Sequence, residues 1–333
     1  MKPDASGDWR PTAALEVLKL RARLLERIRA FFSERGVLEV ETPILSTAAV
    51  TDPMLASLAT RYTGPRFPRG QAFYLHTSPE FPMKRLLAAG SGSIYQICKV
   101  FRDGEAGRLH NPEFTLVEWY RTGFDHHRLM DETGELVTHL LTPAMSLDAP
   151  ERFSYREVFR RHEGLEQHKA SAGDFAIVAK AHKIGVPPEL LTQNDLAVWR
   201  DLLLTHVVEP KLGQGRLTFI YDYPASQASL ARIQPGDPPV AARFELYLNG
   251  VELANGFHEL ADADEQRTRF ERQLHARVAG GQPVVPMDER LLAALAQGLP
   301  DCAGVALGFD RLVMLACGAK SVQEVMAFPI DRA

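Results

Sequence analysis

The sequence predicts an α+β fold, and three observations carry that expectation. Leu18, Leu25, Ile28 and Phe32 recur at helical spacing through Leu15–Glu34, with Arg and Lys filling the other face. Two strand-like runs, residues 93–101 and 114–120, flank a polar loop at 102–113. Phe244, Leu246 and Leu248 alternate with polar or amphipathic residues up to Asn249-Gly250, and Val251 and Leu253 then resume the alternation. Asn-Gly between alternating runs is a strong hairpin signal, because both residues tolerate the positive φ of a tight turn.

The remaining elements follow in order. Gly36 ends the first helix at a position where glycine caps a C-terminus. Residues 37–42 alternate towards Pro43, which suggests a short strand closed by a proline. Residues 44–72 are rich in Thr, Pro and Gly and read as irregular connections, whereas 125–215 are more helical, with a break at Pro187-Pro188. Asp262 and Glu265 resemble a capping pair opening a helix that runs to Ala279. Residues 304–307 read as a strand, and Gly308 leads into a helix over 309–316 that Gly318 ends. With no repeat or low-complexity linker, the organisation expected is a short tail at 1–14 and one domain over 15–333. A mainly helical insertion occupies about 125–215 of that domain.

Bulk properties narrow the function classes. Hydrophobic residues make up 45% and charged residues 24%, the balance of a globular chain. A net charge of -4 provides no general attraction for a polyanion, so nucleic acid is not the default partner. Cys98, Cys302 and Cys317 lack CxxC or Cys/His metal spacing and read as buried thiols in a reducing compartment. The N-terminus lacks the order of a signal peptide, and no apolar stretch nears the ~18 residues of a membrane span. A cytoplasmic protein with no membrane partner is the simplest expectation.

Three segments carry candidate chemistry. The first is Phe101-Arg102-Asp103-Gly104-Glu105, followed by His110-Asn111-Pro112-Glu113-Phe114. An arginine at a strand end beside a polar loop suits phosphate oxygens, because its guanidinium donates two parallel hydrogen bonds. The second is Gly250-Val251-Glu252-Leu253-Ala254-Asn255-Gly256-Phe257-His258-Glu259 at the hairpin turn. Strand alternation puts Glu252 and Leu253 on opposite faces, and carboxylates there can hold Mg²⁺ against phosphates. The third runs from Gly304 to Leu312, where Gly308 permits close backbone approach and Arg311 sits in the first helical turn, which favours anions. Taken singly, the first and third segments are also consistent with a surface loop or turn whose arginine pairs with a nearby acid, and the second with an exposed hairpin carrying ordinary surface acids. His126-His127 and the other lone histidines suggest neither a metal cluster nor a nucleophile triad.

Charge across the set adds a constraint. Arg102 and Arg311 suit phosphate, whereas Glu80, after Ser78-Pro79, and Glu118, beside Trp119-Tyr120, join Glu259 as acids that ATP would not attract. An amine-bearing substrate resolves the conflict, since buried carboxylates require partners. Lysine or a close analogue fits better than a neutral amino acid.

These segments, together with residues 36–43, resemble the catalytic domain of class II lysyl-tRNA synthetases. Residues 36–43 resemble motif 1, 101–120 motif 2 and 304–312 motif 3, and they occur in that order. The resemblance implies an antiparallel sheet flanked by helices, with motif 1 forming a homodimer interface. Too few residues precede the first helix for an anticodon-reading domain, and that layout is similar to the bacterial EpmA family. Its members ligate (R)-β-lysine to a lysine of translation elongation factor P. The likeness includes Pro224-Ala225-Ser226-Gln227-Ala228-Ser229-Leu230 and the terminal Asp331-Arg332-Ala333.

By this resemblance Ser78, Pro79, Glu80, Glu118, Tyr120, Asn255, Glu259 and Ala306 contact the amino-acid substrate. Arg102, Asp103, Gly104, Glu105, Asn111, Phe114, Glu252, Leu253, Gly308 and Arg311 contact ATP. Arg102 and Arg311 act as catalytic cations, and Glu252 and Glu259 hold Mg²⁺. One departure stands out: motif 2 usually reads Arg, any residue, Glu, but Gly104 holds the third place and Glu105 follows. Ala306 stands where lysyl-tRNA synthetases tend to carry glycine, and its methyl group bears on α- against β-lysine. The implied activity is ATP-dependent formation of a lysyl- or β-lysyl-adenylate, with elongation factor P as acceptor and tRNA not expected. A minimal tRNA-charging enzyme and a non-catalytic amino-acid sensor are the alternatives, and intact Arg102 and Arg311 speak against the sensor.

Overall fold

The computed structural model describes residues 9–142, 144–192 and 195–333, so residues 1–8 of the expected tail lie outside it. The chain divides into two compact units. One comprises residues 1–123, 261–302 and 306–333; the other comprises 124–260 and 303–305.

The first unit opens with α1 (Leu15–Glu34), β1 (Leu38–Glu39), β2 (Leu45–Ser46), β3 (Ala59–Tyr62), β4 (Gln71–Leu75), α2 (Glu80–Ala88), β5 (Ile94–Phe101) and β6 (Glu113–Thr122). The buried stripe of α1 is Leu24, Ile28, Phe31 and Phe32, while Leu18 and Leu25 lie beside it, half-buried. Phe32 anchors that stripe by stacking on Tyr95 of β5 and tilting against Trp119 of β6. The strand expected over 37–42 is confined to β1, which pairs in parallel with β5, whereas β5 and β6 form an antiparallel ladder. The 44–72 stretch is not wholly irregular: β2, β4 and β3 form a small antiparallel sheet.

The second unit holds α3 (His126–Leu141), β7 (Asp148–Ser154), α4 (Tyr155–Glu163), α5 (Ala172–Ala181), α6 (Pro188–Thr192), α7 (Leu196–Leu203), β8 (Arg216–Pro224), β9 (Ile233–Gln234), β10 (Val240–Leu248) and β11 (Val251–His258). The proline pair at 187–188 does separate α5 from α6, since proline tolerates a first helical turn but not a helix interior. Strands β11, β10 and β8 run antiparallel, and β7 adds to β8 in parallel. The hairpin turn falls at Asn249-Gly250, with φ of 51° and 72°. Tyr155, Phe159, Phe175, Trp199 and Tyr223 lie at the centre of an apolar core that packs the 155–208 helices on this sheet. Its edge strand is parallel and its interior antiparallel, so the sheet in each unit is mixed.

The chain then continues through α8 (Ala263–Ala279), α9 (Glu289–Gln297), β12 (Cys302–Gly308) and α10 (Phe309–Cys317). The carboxylate of Asp262 caps α8 by accepting from the Asp264 and Glu265 amides. The reciprocal half of a capping box is not made, because Glu265 pairs with Arg269 one turn on. Gly318, at φ 69°, ends α10 as expected. Of the three thiols only Cys302 is buried; Cys98 is half-buried and Cys317 exposed, which corrects the expectation that all are buried. Among the described residues no helix is long and apolar enough to cross a membrane.

Candidate active site

In the first unit, alternation along β6 puts Phe114, Glu118 and Tyr120 on one face. Arg102, just past β5, lies over the Phe114 ring at 5.0 Å and hydrogen-bonds the Thr77 carbonyl from Nε at 3.4 Å. Stacking on the ring fixes the plane of the guanidinium without using up its donors. The nearest acid to Arg102 is Glu105, at 3.6 Å. Gly104 lies between them at φ 79°, a left-handed conformation that favours glycine. The one-residue departure in the motif therefore places a glycine at the turn and the next carboxylate against the arginine. Asp103 is exposed, and its amide bonds the Ala56 carbonyl at 2.8 Å.

Glu118 is buried and held by two hydroxyls: Ser78 donates to Oε2 and Tyr120 to Oε1, each at 2.7 Å. Burial, then the nearby charge of Glu80, push its carboxyl up to about 7, outweighing the hydrogen bonds and Lys84. Glu80 differs. It starts α2, just after Pro79, and accepts at 2.7 Å from Lys84, which is itself buried at 1% exposure. The acidic excess expected here is thus partly matched by the protein: Glu80 has an ammonium partner and Glu118 has two hydroxyls.

Arg311 is not paired with its neighbour Asp310. Asp310 is buried, binds Arg21 of α1 at 2.6 Å and accepts from the Thr115 amide at 2.7 Å. Arg311 instead donates to the Leu109 carbonyl at 3.3 Å and to His110 Nε2 at 2.9 Å. Burial, then the Arg311 guanidinium, hold His110 below the usual imidazole value, so the ring stays neutral and accepts. Both catalytic-cation candidates are therefore anchored to the loop between β5 and β6. Asn111 ties that loop to the C-terminus: it donates to the Glu113 carbonyl at 2.7 Å and accepts from the Ile330 amide at 3.1 Å. Ala306 and Gly308 share one face of β12, the strand beside β6.

The second unit carries Glu252, Leu253, Asn255 and Glu259. Glu252 and Asn255 are three residues apart, which in a regular strand puts them on opposite faces. A bulge intervenes: Leu246 pairs with Ala254 but Tyr247 with Glu252, leaving Leu253 as the extra residue. Glu252 opposite Tyr247 and Asn255 opposite Glu245 therefore share a face. That face is mostly buried, where the sequence pattern suggested exposed polar neighbours. Glu245 accepts from Tyr223 at 2.6 Å, from Tyr247 and Arg243 at 2.5 Å and from Asn255 at 3.2 Å. Glu245 is buried and Arg243 half-buried; desolvation opposes the Arg243 charge, but coulombic attraction to Glu245 outweighs it and keeps the guanidinium charged. Sequence reading missed Arg243, Glu245, Tyr223 and Tyr247, because alternating polar residues on a hairpin look like a solvated face; no local signal marks their burial. Glu259 is also buried.

Comparison with known proteins bears on the whole chain. Residues 6–332 match the model of the class II tRNA synthetases (D, K and N). The chain belongs to the class II tRNA synthetases. Within that family, curated relatives named elongation factor P–(R)-β-lysine ligase, from Klebsiella pneumoniae subsp. pneumoniae and Salmonella paratyphi B, are each 51% identical over 327 residues, covering 98% of both chains. A class II synthetase is an ATP-dependent ligase built on an α+β fold, and both the α+β expectation and the family resemblance hold.

Proposed function

We propose that this chain activates (R)-β-lysine, or a close lysine analogue, as an acyl-adenylate and transfers it to a lysine side chain of elongation factor P. The observation that carries the substrate class is Glu118, a buried carboxylate fixed by Ser78 and Tyr120 and raised towards neutrality, which gains most from an ammonium partner. The names of the 51% identical relatives support the acceptor.

The substrate carboxylate is already ionised at neutral pH and needs no general base. Its oxygen attacks the α-phosphorus of ATP, the bond to the β-phosphate oxygen breaks, and pyrophosphate leaves. Arg102 and Arg311 neutralise charge as it builds on the phosphates, and their anchoring on Phe114, His110 and the Leu109 carbonyl pre-sets their positions. In the second step an acceptor lysine nitrogen attacks the acyl carbon, AMP departs and an amide forms. Glu105 takes the acidic motif 2 role beside Arg102, and Gly104 supplies the turn.

In this reading Ser78, Pro79, Glu80, Glu118, Tyr120 and Ala306 bind the amino acid, and Asn111, Phe114 and Gly308 contact ATP. Glu252, Leu253, Asn255 and Glu259 enter through the family resemblance. Mg²⁺ usually takes one or two protein carboxylates and completes its shell with phosphates and water, and half-buried Glu252 and buried Glu259 would hold it. When bound, the ion neutralises the triphosphate. Residues 15–333 act as one catalytic domain with the helical segment around 125–215 inserted, in a cytoplasmic homodimer.

ATP–pyrophosphate exchange tests the activation step. Exchange stimulated by lysine or β-lysine is expected, with (R)-β-lysine strongest, and no stimulation by either compound overturns the proposal.

A further inference from the structure

His126, His127 and Asp222 come together in the second unit, and none of them is assigned to the reaction. His126 opens α3 and is fully buried, His127 follows it at the surface, and Asp222 lies in β8, half-buried. Consecutive residues on a helix normally diverge, yet these two rings have centroids 4.1 Å apart. One ligating atom from each of the three side chains lies within 4.8 Å of the others. They are the one such group of three or more His, Cys, Asp or Glu among the described residues.

The backbone is shaped to deliver Asp222. Its φ is 55°, a left-handed value unusual for a residue inside a strand. Opposite it, β10 bulges: Ala241 pairs with Tyr223 and Phe244 with Tyr221, so two residues face the single Asp222. Strain of this kind persists where surrounding structure over-determines it, and it clusters at functional sites. Here it sets Asp222 Oδ1 3.2 Å from His126 Nε2. That separation is also the ligand–ligand edge, roughly 3.3 Å, of a tetrahedron with metal bonds of about 2.0 Å. The other nitrogen of His126, Nδ1, is buried without a hydrogen-bond partner.

We propose that His126, His127 and Asp222 form a binding site for a divalent metal ion of the zinc class. Two imidazoles and one carboxylate suit Zn²⁺, and Co²⁺ as its spectroscopic substitute, better than the all-oxygen preference of Mg²⁺ or Ca²⁺. His126 and Asp222 already have the required edge. His127, at the surface, closes the third position by a side-chain rotation, and water takes the fourth. The ion would pin the start of α3 to β8, a structural role separate from adenylate formation.

The test uses the full, tag-free chain, stripped of metals with a chelator and kept free of ATP. Zn²⁺ is titrated by calorimetry, Co²⁺ by visible absorption, and thermal unfolding is followed with and without Zn²⁺. One Zn²⁺ per chain is expected, with a raised Tm because the ion binds only the folded state, together with a Co²⁺ d–d band. His127→Gln and Asp222→Asn are the informative variants. The first changes an exposed side chain, and the second keeps a residue type that tolerates left-handed backbone. Each is expected to melt near the parent when metal-free, to bind Zn²⁺ at least about tenfold more weakly and to lose the Tm gain. Absence of saturable Zn²⁺ binding by the parent, or parent-like binding by both variants, overturns the proposal.

Discussion

Ser78 Oγ donates to Glu118 Oε2 at 2.7 Å, while the same hydroxyl accepts from the Glu80 amide at 3.0 Å. One serine thus orients a buried carboxylate and the first turn of α2 together, and the two acids it touches differ in their pairing. Glu80 has Lys84 and Glu118 has hydroxyls.

A pH dependence follows from that difference. The Glu118 carboxyl, raised by burial and by Glu80 from 4.5 to about 7, is largely protonated below neutrality in the free enzyme. Binding an ammonium expels that proton, so the KM for the amino acid should fall as pH rises towards about 7 and then level off. The free protein should show the opposite trend in stability. The folded state holds the proton more tightly than the unfolded chain, so stability falls as pH rises from 4.5 to about 7. Glu118→Gln should flatten both profiles and weaken amino-acid binding. A KM profile for the variant identical to the parent's would contradict this account.

Arg102 carries the second prediction. Arg102→Ala should lower kcat for ATP–pyrophosphate exchange by about 10²–10³, the cost of removing one preorganised charge donor. Arg102→Lys should recover little of it, because an ammonium lacks the planar fork that stacks on Phe114. Steady-state exchange on both variants measures this.

Much of this was legible in the sequence, and the failures have physical causes. The helix at Leu15–Glu34, the Asn249-Gly250 hairpin and the α10 stop at Gly318 rest on local periodicity and turn chemistry, and each is present. Motif residues around Arg102 and Arg311 were readable because a short segment carries them. The Glu245 cluster was not, since its burial is set by strands far apart in sequence. The bulge at Leu253 was equally hidden: it shifts the register by one residue and reverses which residues share a face with Glu252. His126 and His127 gave no metal signal because their third member, Asp222, lies 96 positions away from His126.

The Glu245 cluster supplies a stability prediction. Glu245→Gln removes the buried carboxylate that neutralises half-buried Arg243 while keeping the shape. Leaving a buried charge uncompensated costs about 3–5 kcal/mol and the partial exposure of Arg243 reduces that, but denaturant unfolding should still shift to lower concentration. Replacing exposed Glu26 with Gln should leave the midpoint nearly unchanged and serves as the control.

Ala306 tests substrate choice. Its methyl group lies on the same face of β12 as Gly308, and removing it is worth only about 1–3 kcal/mol of discrimination. Ala306→Gly should therefore raise exchange with α-lysine relative to (R)-β-lysine by about 10- to 100-fold at most. Competition between the two isomers in one exchange assay reads the ratio directly.

The identity of the acceptor is the central claim. The most direct measurement incubates the chain with ATP and (R)-β-lysine, offers elongation factor P and lysine tRNA together, and weighs both by mass spectrometry. Elongation factor P should gain one β-lysyl residue at a lysine while the tRNA stays uncharged. Charged tRNA beside unmodified elongation factor P would contradict the account.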